Sequence, residues 1–176
     1  LSGDGFWGFL NIFSRAFGSG PNISKSILLS ALADFKLTVA GPESQKYAYT
    51  ISNHQDINIM DKFLSSQEVG ALYNRSKIVL AMHHIQFKSD PGPRIYDAAA
   101  CKAFQLVEFR SNVPKLFNNK IITFQSPVDL KNKVKYYLTH PDKRAENIEE
   151  CYEIAVHQHT YLERAAEILK TVFTTH

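Results

Sequence analysis

Two cysteines in 176 residues are too few for a disulfide framework. Cys101 lies in an alanine-rich stretch and Cys151 in a charged one, which suits two separate thiols in a reducing compartment; a cytoplasmic location is the expectation. No apolar run approaches the roughly 20 residues that a membrane-spanning helix needs. The opening LSGDGFWGFLNIF lacks the basic start and cleavage site of a secretory signal. Charge of one sign is scarce as well. The formal net charge is +3 and the Lys and Arg residues are mixed with acids, so there is no basic stripe for nucleic acid. Spacings for hydrolysis, whether Ser-His-Asp, Cys-His or paired carboxylates, are missing too.

What remains, 44% hydrophobic and 21% charged residues, is the composition of one soluble globular domain with a sizeable core. The chain begins without Met, and a piece of a longer protein is expected. After the Gly-rich FGSGPN, Ile27, Leu28, Ala31, Leu32 and Phe35 share one helical face, and KLTVAG follows as a buried strand stopped by Gly41-Pro42. INIM is a weak strand. Ser65-x-x-Glu68 is a capping box opening a helix through Val69, Leu72 and Tyr73, and KIVLAM is a buried strand.

The alternation goes on with a helix from Pro93 to Ala103, a strand FQLVEF, a helical turn near Val113 and a strand IITF. Ser126-Pro127 then supplies an N-cap and an N1 proline. Two last helices carry stripes at Ile148, Cys151, Tyr152 and Ala155, and at Leu162, Ala165, Ala166, Leu169 and Phe173. Wholly apolar strands separated by helices predict an α/β fold, a Rossmann-like parallel sheet flanked by helices, with a helical C-terminal tail. Residues 1–22 read as an N-terminal segment or linker, with Phe6, Phe9, Leu10, Phe13 and Phe17 at helical spacing, and residues 23–176 as the domain.

In such sheets ligands sit beyond the carboxyl ends of the strands, so the loops there are where chemistry is sought. On the Pro93 helix the spacing predicts a buried stripe of Tyr96, Ala99, Ala100 and Ala103, with Arg94, Asp97 and Cys101 on another face. Arg94 in the first turn suits a diphosphate, and Asp97 one turn on suits a vicinal diol such as a ribose. The same spacing also describes an i,i+3 surface ion pair. His83-His84 end a strand, where neighbours point to opposite faces, so the pair does not chelate one metal; no metal site is expected. One of the two contacts substrate, or both are structural. Glu108 and Arg110 end the next strand, in reach of the same cleft or merely solvated. His157 and His159 read as helix-end residues, and Gly18-Ser19-Gly20 with Lys25 nearby matches neither common phosphate-loop fingerprint.

Taken together, ALYNRSKIVLAMHH, DPGPRIYDAAACKAFQLVEFRSNVPKLF and YYLTHPDKR…HTYLERAAEIL, in that order, resemble the C-terminal domain of group 1 glycosyltransferases of the CgeB-like branch, over about Ile23 to Leu169. The resemblance implies half of a GT-B fold, two Rossmann-like domains facing across a cleft, with this half holding a nucleotide-sugar donor. It implies that Asp97 matches the second acid of the family's Glu-x7-Glu motif, which holds the ribose. Ser89, Asp90, Pro91 and Gly92 match the region touching the transferred sugar, and Arg94 an arginine frequent in that branch. Lys25 lies near where a basic residue before the first helix often meets phosphate. Arg94 and Lys25 would stabilise the departing diphosphate without a metal, and His83 and Glu108 complete the donor-binding set. Asp90 stands seven residues before Asp97, one short of the family spacing; Asp replaces Glu at the second position, and Lys102 replaces the usual Gly.

The expected substrate is a nucleotide-diphosphate sugar, with no separate cofactor, an acceptor the sequence does not identify, and retention of anomeric configuration. A missing N-terminal acceptor-binding domain would leave this chain poorly active alone. A non-catalytic interaction module derived from such an enzyme is the alternative, and a Rossmann-like domain for some other phosphorylated metabolite a third.

Overall fold

The computed structural model describes residues 10–13, 23–42, 44–45, 57–83 and 88–174. Six strands, β1 (Leu10–Phe13), β2 (Leu37–Ala40), β3 (Ile57–Met60), β4 (Ile78–Ala81), β5 (Gln105–Glu108) and β6 (Ile122–Phe124), form one sheet of order β3-β2-β1-β4-β5-β6. Every neighbouring pair is parallel. Seven helices occur among the described residues: α1 (Ile23–Ala31), α2 (Ser66–Arg75), α3 (Arg94–Ala100), α4 (Val113–Leu116), α5 (Pro127–Thr139), α6 (Pro141–Gln158) and α7 (Tyr161–Thr174). This is the doubly wound Rossmann order, whose direction reverses between β1 and β4.

Strand side chains alternate between two faces, and the burial follows. Ile78, Leu80 and Leu106 join Leu28 and Leu29 of α1, Leu32 just beyond it, and Leu130 and Val134 of α5 in one core. On the opposite face Val107 packs with Ile95 and Ala99 of α3, Val113 and Phe117 around α4, and Cys151 and Ile154 of α6. Val79 meets Tyr73 of α2 and Ala98 of α3. Capping chemistry sets where the helices begin. The Glu68 amide donates to Ser65 Oγ at 3.2 Å while the Ser65 amide donates to Glu68 Oε2 at 2.8 Å, completing the capping box. Ser126 Oγ accepts from the Asp129 amide at 3.1 Å ahead of Pro127.

Three sequence expectations change. Leu10–Phe13, set outside the domain by a helical reading, is a central strand with Leu10 in register with both Leu37 and Ile78. A strand that pairs on both sides, four residues with β2 and three with β4, gains ladder bonds that a lone aromatic helix does not. The buried stripe of α3 is Ile95, Ala98 and Ala99, while Tyr96 is half-buried and Ala100 exposed. The apolar face of α7 is uncovered among the described residues, with Leu162, Leu169 and Phe173 exposed. The helical reading of Phe6, Phe9 and Phe17, the Gly18-Ser19-Gly20 loop and His84 lie outside the described residues.

Candidate functional site

A cleft of about 460 Å³ lies between α2 and α3. Pro42, Phe63 and Leu64, from the loops that leave the carboxyl ends of β2 and β3, line its mouth side. Ser66, Val69, Gly70 and Tyr73 of α2 and Arg94, Asp97, Ala100 and Cys101 along α3 form its walls. The spacings explain the walls: 66, 69, 70 and 73 share one helical face, and 94, 97 and 101 share another. α3 is fixed from behind. Ile95 is 1% exposed, and its carbonyl accepts a hydrogen bond from Gln105 Nε2 at 2.9 Å.

Electrostatics couple the cleft side chains. Asp97 has an exposed surface, yet the cleft walls desolvate its carboxyl and raise it above the usual value, with the Arg94 charge opposing the rise. Among the described residues no hydrogen bond reaches the Asp97 carboxylate, whose backbone groups bond to Pro93 and Cys101. Tyr73 is pushed up to about 12, mainly by burial and further by Asp97, while Arg94 opposes. Cys101 is raised by desolvation and then by Asp97, which keeps the thiol protonated.

The other expected site residues lie outside this lining. Ser89 Oγ donates to Asp90 Oδ2 at 2.8 Å and Asn112 Nδ2 donates to Asp90 Oδ1 at 2.9 Å. These two bonds hold the Asp90 carboxyl below its usual range. The Asn112 amide donates to the Ser89 carbonyl at 3.1 Å, tying this loop to the one after β5; Pro91 and Gly92 are half-buried within it.

His83 is buried; its amide donates to Glu108 Oε2 and its Nε2–H to the Glu108 carbonyl, each at 2.9 Å. Glu108 also accepts from Arg110 at 3.1 Å. His83 and Glu108 thus lock the ends of β4 and β5 together. Lys25 falls in the first turn of α1, and its side chain lies outside what is described. Sequence reasoning found Arg94 and Asp97 and missed the α2 wall, whose small and apolar residues read as an ordinary core stripe.

Residues 24–170 match a family model described as glycosyl transferase-like. The chain belongs to that family. It is 26% identical over 146 residues to spore protein CgeB of Bacillus subtilis (strain 168), covering 76% of this chain and 45% of that one. The fold matches Anabaena HepE, solved with UDP and glucose, at a TM-score of 0.72 and 16% identity over 94% of this chain and 48% of that one. It also matches the C-terminal CMP-Kdo binding domain of WaaA from Acinetobacter baumannii at a TM-score of 0.58 and 12% identity, over 84% of this chain and 88% of that one. This glycosyl transferase-like chain spans about half the length of CgeB and HepE. The resemblance to CgeB-like group 1 glycosyltransferases and the Rossmann-like fold are both borne out.

Lys102, where that family usually has Gly, adopts φ 53°. Its amide donates to the Ala99 carbonyl at 2.9 Å and the Ala103 amide to the Ala98 carbonyl at 3.0 Å, a Schellman cap that favours Gly at this residue. The side chain instead runs to α6, with Nζ 2.8 Å from Glu149 and 4.4 Å from the Tyr152 ring centroid. The departure is absorbed at the far end of the helix and contributes nothing to the cleft.

Proposed function

We propose that this chain is the donor-binding half of a glycosyltransferase and that the α2–α3 cleft receives a nucleotide-diphosphate sugar. The observation that carries the reading is Arg94 and Asp97 on one helical face, opening into a cleft large enough for a nucleoside. A guanidinium pairs with diphosphate oxygens by charge-assisted hydrogen bonds. The Asp97 carboxylate, which takes no hydrogen bond from the described residues and has the Arg94 charge nearby, accepts from a ribose diol. Phe63 and Leu64 offer apolar surface at the mouth. The HepE complex with UDP and glucose, and the WaaA domain described as binding CMP-Kdo, support a nucleotide-activated sugar as the class of ligand.

Transfer requires the leaving diphosphate to be stabilised as its charge develops. Arg94, joined by Lys25, supplies that charge without a metal. The Ser89–Gly92 loop, held in shape by Asn112, faces the transferred sugar, and His83 and Glu108 set the rim on which it rests. The acceptor belongs to a second domain of comparable size, so the isolated chain binds donor and transfers sugar poorly. A cytoplasmic location fits nucleotide-sugar chemistry; no helix among the described residues is long and apolar enough to cross a membrane.

Calorimetric titration of UDP, GDP, ADP and CDP into the chain tests this. Saturable binding of at least one, weakened about 10- to 100-fold by Arg94→Ala, is the expected outcome, the range for losing one charge-assisted contact. Binding that survives Arg94→Ala and Asp97→Ala unchanged would place the ligand elsewhere. No binding at all favours the interaction module.

A further inference from the structure

Gly70 sits in the middle of α2, where glycine is among the least favourable residues for helix formation. A glycine there ordinarily answers to a left-handed φ or to a neighbour too close for a methyl group. Neither applies. Gly41 is the positive-φ glycine among the described residues. A Cβ built on Gly70 meets one atom within 4 Å, Cys101 Sγ at 3.9 Å, which is ordinary van der Waals contact. Alanine therefore fits the fold and is the better helix former. What the missing side chain leaves clear is cleft volume beside the point where Gly70 and Cys101 approach each other.

The geometry points to Gly70 as the residue that sets what the cleft admits, by keeping a notch open for the nucleoside end of the ligand. This rests on the donor-site reading. Arg94, Asp97 and Cys101 succeed one another along α3 over about 10 Å of helix. With the diphosphate at Arg94 and the ribose at Asp97, the base extends toward Cys101, and Gly70 stands across from Cys101. The notch does not retreat when filled, because the capping box holds the start of α2 and Tyr73, 3% exposed, anchors its end. A side chain at this position takes volume from the ligand and leaves the protein packing intact, so stability and affinity move in opposite directions.

The test titrates UDP, GDP, ADP and CDP into the wild-type chain, Gly70→Ala and Gly70→Leu, with thermal melts of each and Arg94→Ala alongside. Leucine fills the notch and keeps high helix propensity. Gly70→Ala is expected to raise Tm by about 2–4 °C and to weaken the nucleotide that wild type binds by about 10-fold, with Gly70→Leu weakening it further. Wild-type affinity in both variants overturns the inference while leaving the donor site standing, provided Arg94→Ala weakens binding. A lower Tm for Gly70→Ala overturns it too, since the fold would then need the glycine. If wild type binds none of the four, the donor-site reading falls and this inference falls with it.

Discussion

Two aspartates stand seven residues apart beside one helix, and the fold treats them in opposite ways. Asp90 is taken up by the structure: Asn112 and Ser89 donate to its two oxygens, and the carboxyl is held below its usual range. The Asp97 carboxylate receives no hydrogen bond among the described residues and is partly desolvated and raised, with Arg94 nearby. A carboxylate already hydrogen-bonded within the chain fixes a loop, whereas an exposed one beside a cation in a cleft is open to a ligand. On the proposed donor-site reading the contrast separates the two acids, Asp97 as the ligand contact and Asp90 as the residue that shapes the loop.

The largest expected effect breaks that contrast directly. Asp97→Ala is expected to lower nucleotide affinity about 10- to 100-fold with little change in Tm, measured by calorimetry and thermal melts. Asp90→Ala and Asn112→Ala are expected to leave affinity within about twofold, a small fraction of the 1.4 kcal/mol that a tenfold change represents, and to lower Tm. The reverse pattern would exchange the two roles.

A second, smaller effect concerns the wall opposite Asp97. Ser65→Ala removes one half of the capping box and is expected to cost about 1 kcal/mol, read as a lower urea midpoint with unchanged slope. Because α2 carries one side of the cleft, affinity should fall in parallel. A stability loss with full affinity would show that the start of α2 does not shape the site.

Acidity sharpens the comparison further, because the signs differ. Asp97 is raised on folding, so its protonated form is favoured in the folded state. The stability it contributes is lost as pH climbs from its ordinary value of 3.8 through the raised one. Asp90 is lowered, so its contribution is present above 3.8 and disappears as pH falls through its folded value. Glu68 behaves like Asp90: Lys62 and then Ser65 hold it at about 2, so its share is lost as pH falls from 4.5 toward 2. Asp97→Asn should therefore stabilise relative to wild type at pH 7 and not at pH 3. Asp90→Asn should destabilise at pH 7 and not at pH 2. Urea unfolding across that range distinguishes them, and equal profiles for the two variants would remove the contrast.

The parts of this picture that local chemistry dictates were legible in the sequence. Ser65-x-x-Glu68 and Ser126-Pro127 announce their helices, the apolar runs announce β2, β4, β5 and β6, and Arg94 and Asp97 fall on one face by spacing alone. β1 was not legible. LNIF is four residues long, and its partners Leu37 and Ile78 lie far along the chain, while the phenylalanines around it mimic a helical period. The α2 wall was hidden for a different reason: Ser66, Val69, Gly70 and Tyr73 look like any buried stripe until a second helix is placed across from them. Asp90 and Asp97 are likewise indistinguishable as letters. Which one is satisfied depends on Asn112, a contact that exists only once β5, which lies between Asp90 and Asn112 in the chain, has paired.

The smallest expected effect lies at the other end of the helix that carries Arg94 and Asp97. Lys102 holds a left-handed backbone that favours glycine, and its side chain bridges to Glu149 and Tyr152. Strain and bridge act in opposite directions, and exposed ion pairs contribute little. Lys102→Gly removes both, so Tm should rise by no more than about 3 °C. Lys102→Ala keeps the strain and loses the bridge, so Tm should fall. Neither variant should alter nucleotide affinity, because the side chain leaves the cleft in favour of α6. A change in affinity with Lys102→Gly would mean that the cap transmits to Asp97, one turn away, and the two ends of α3 would then have to be treated as one unit.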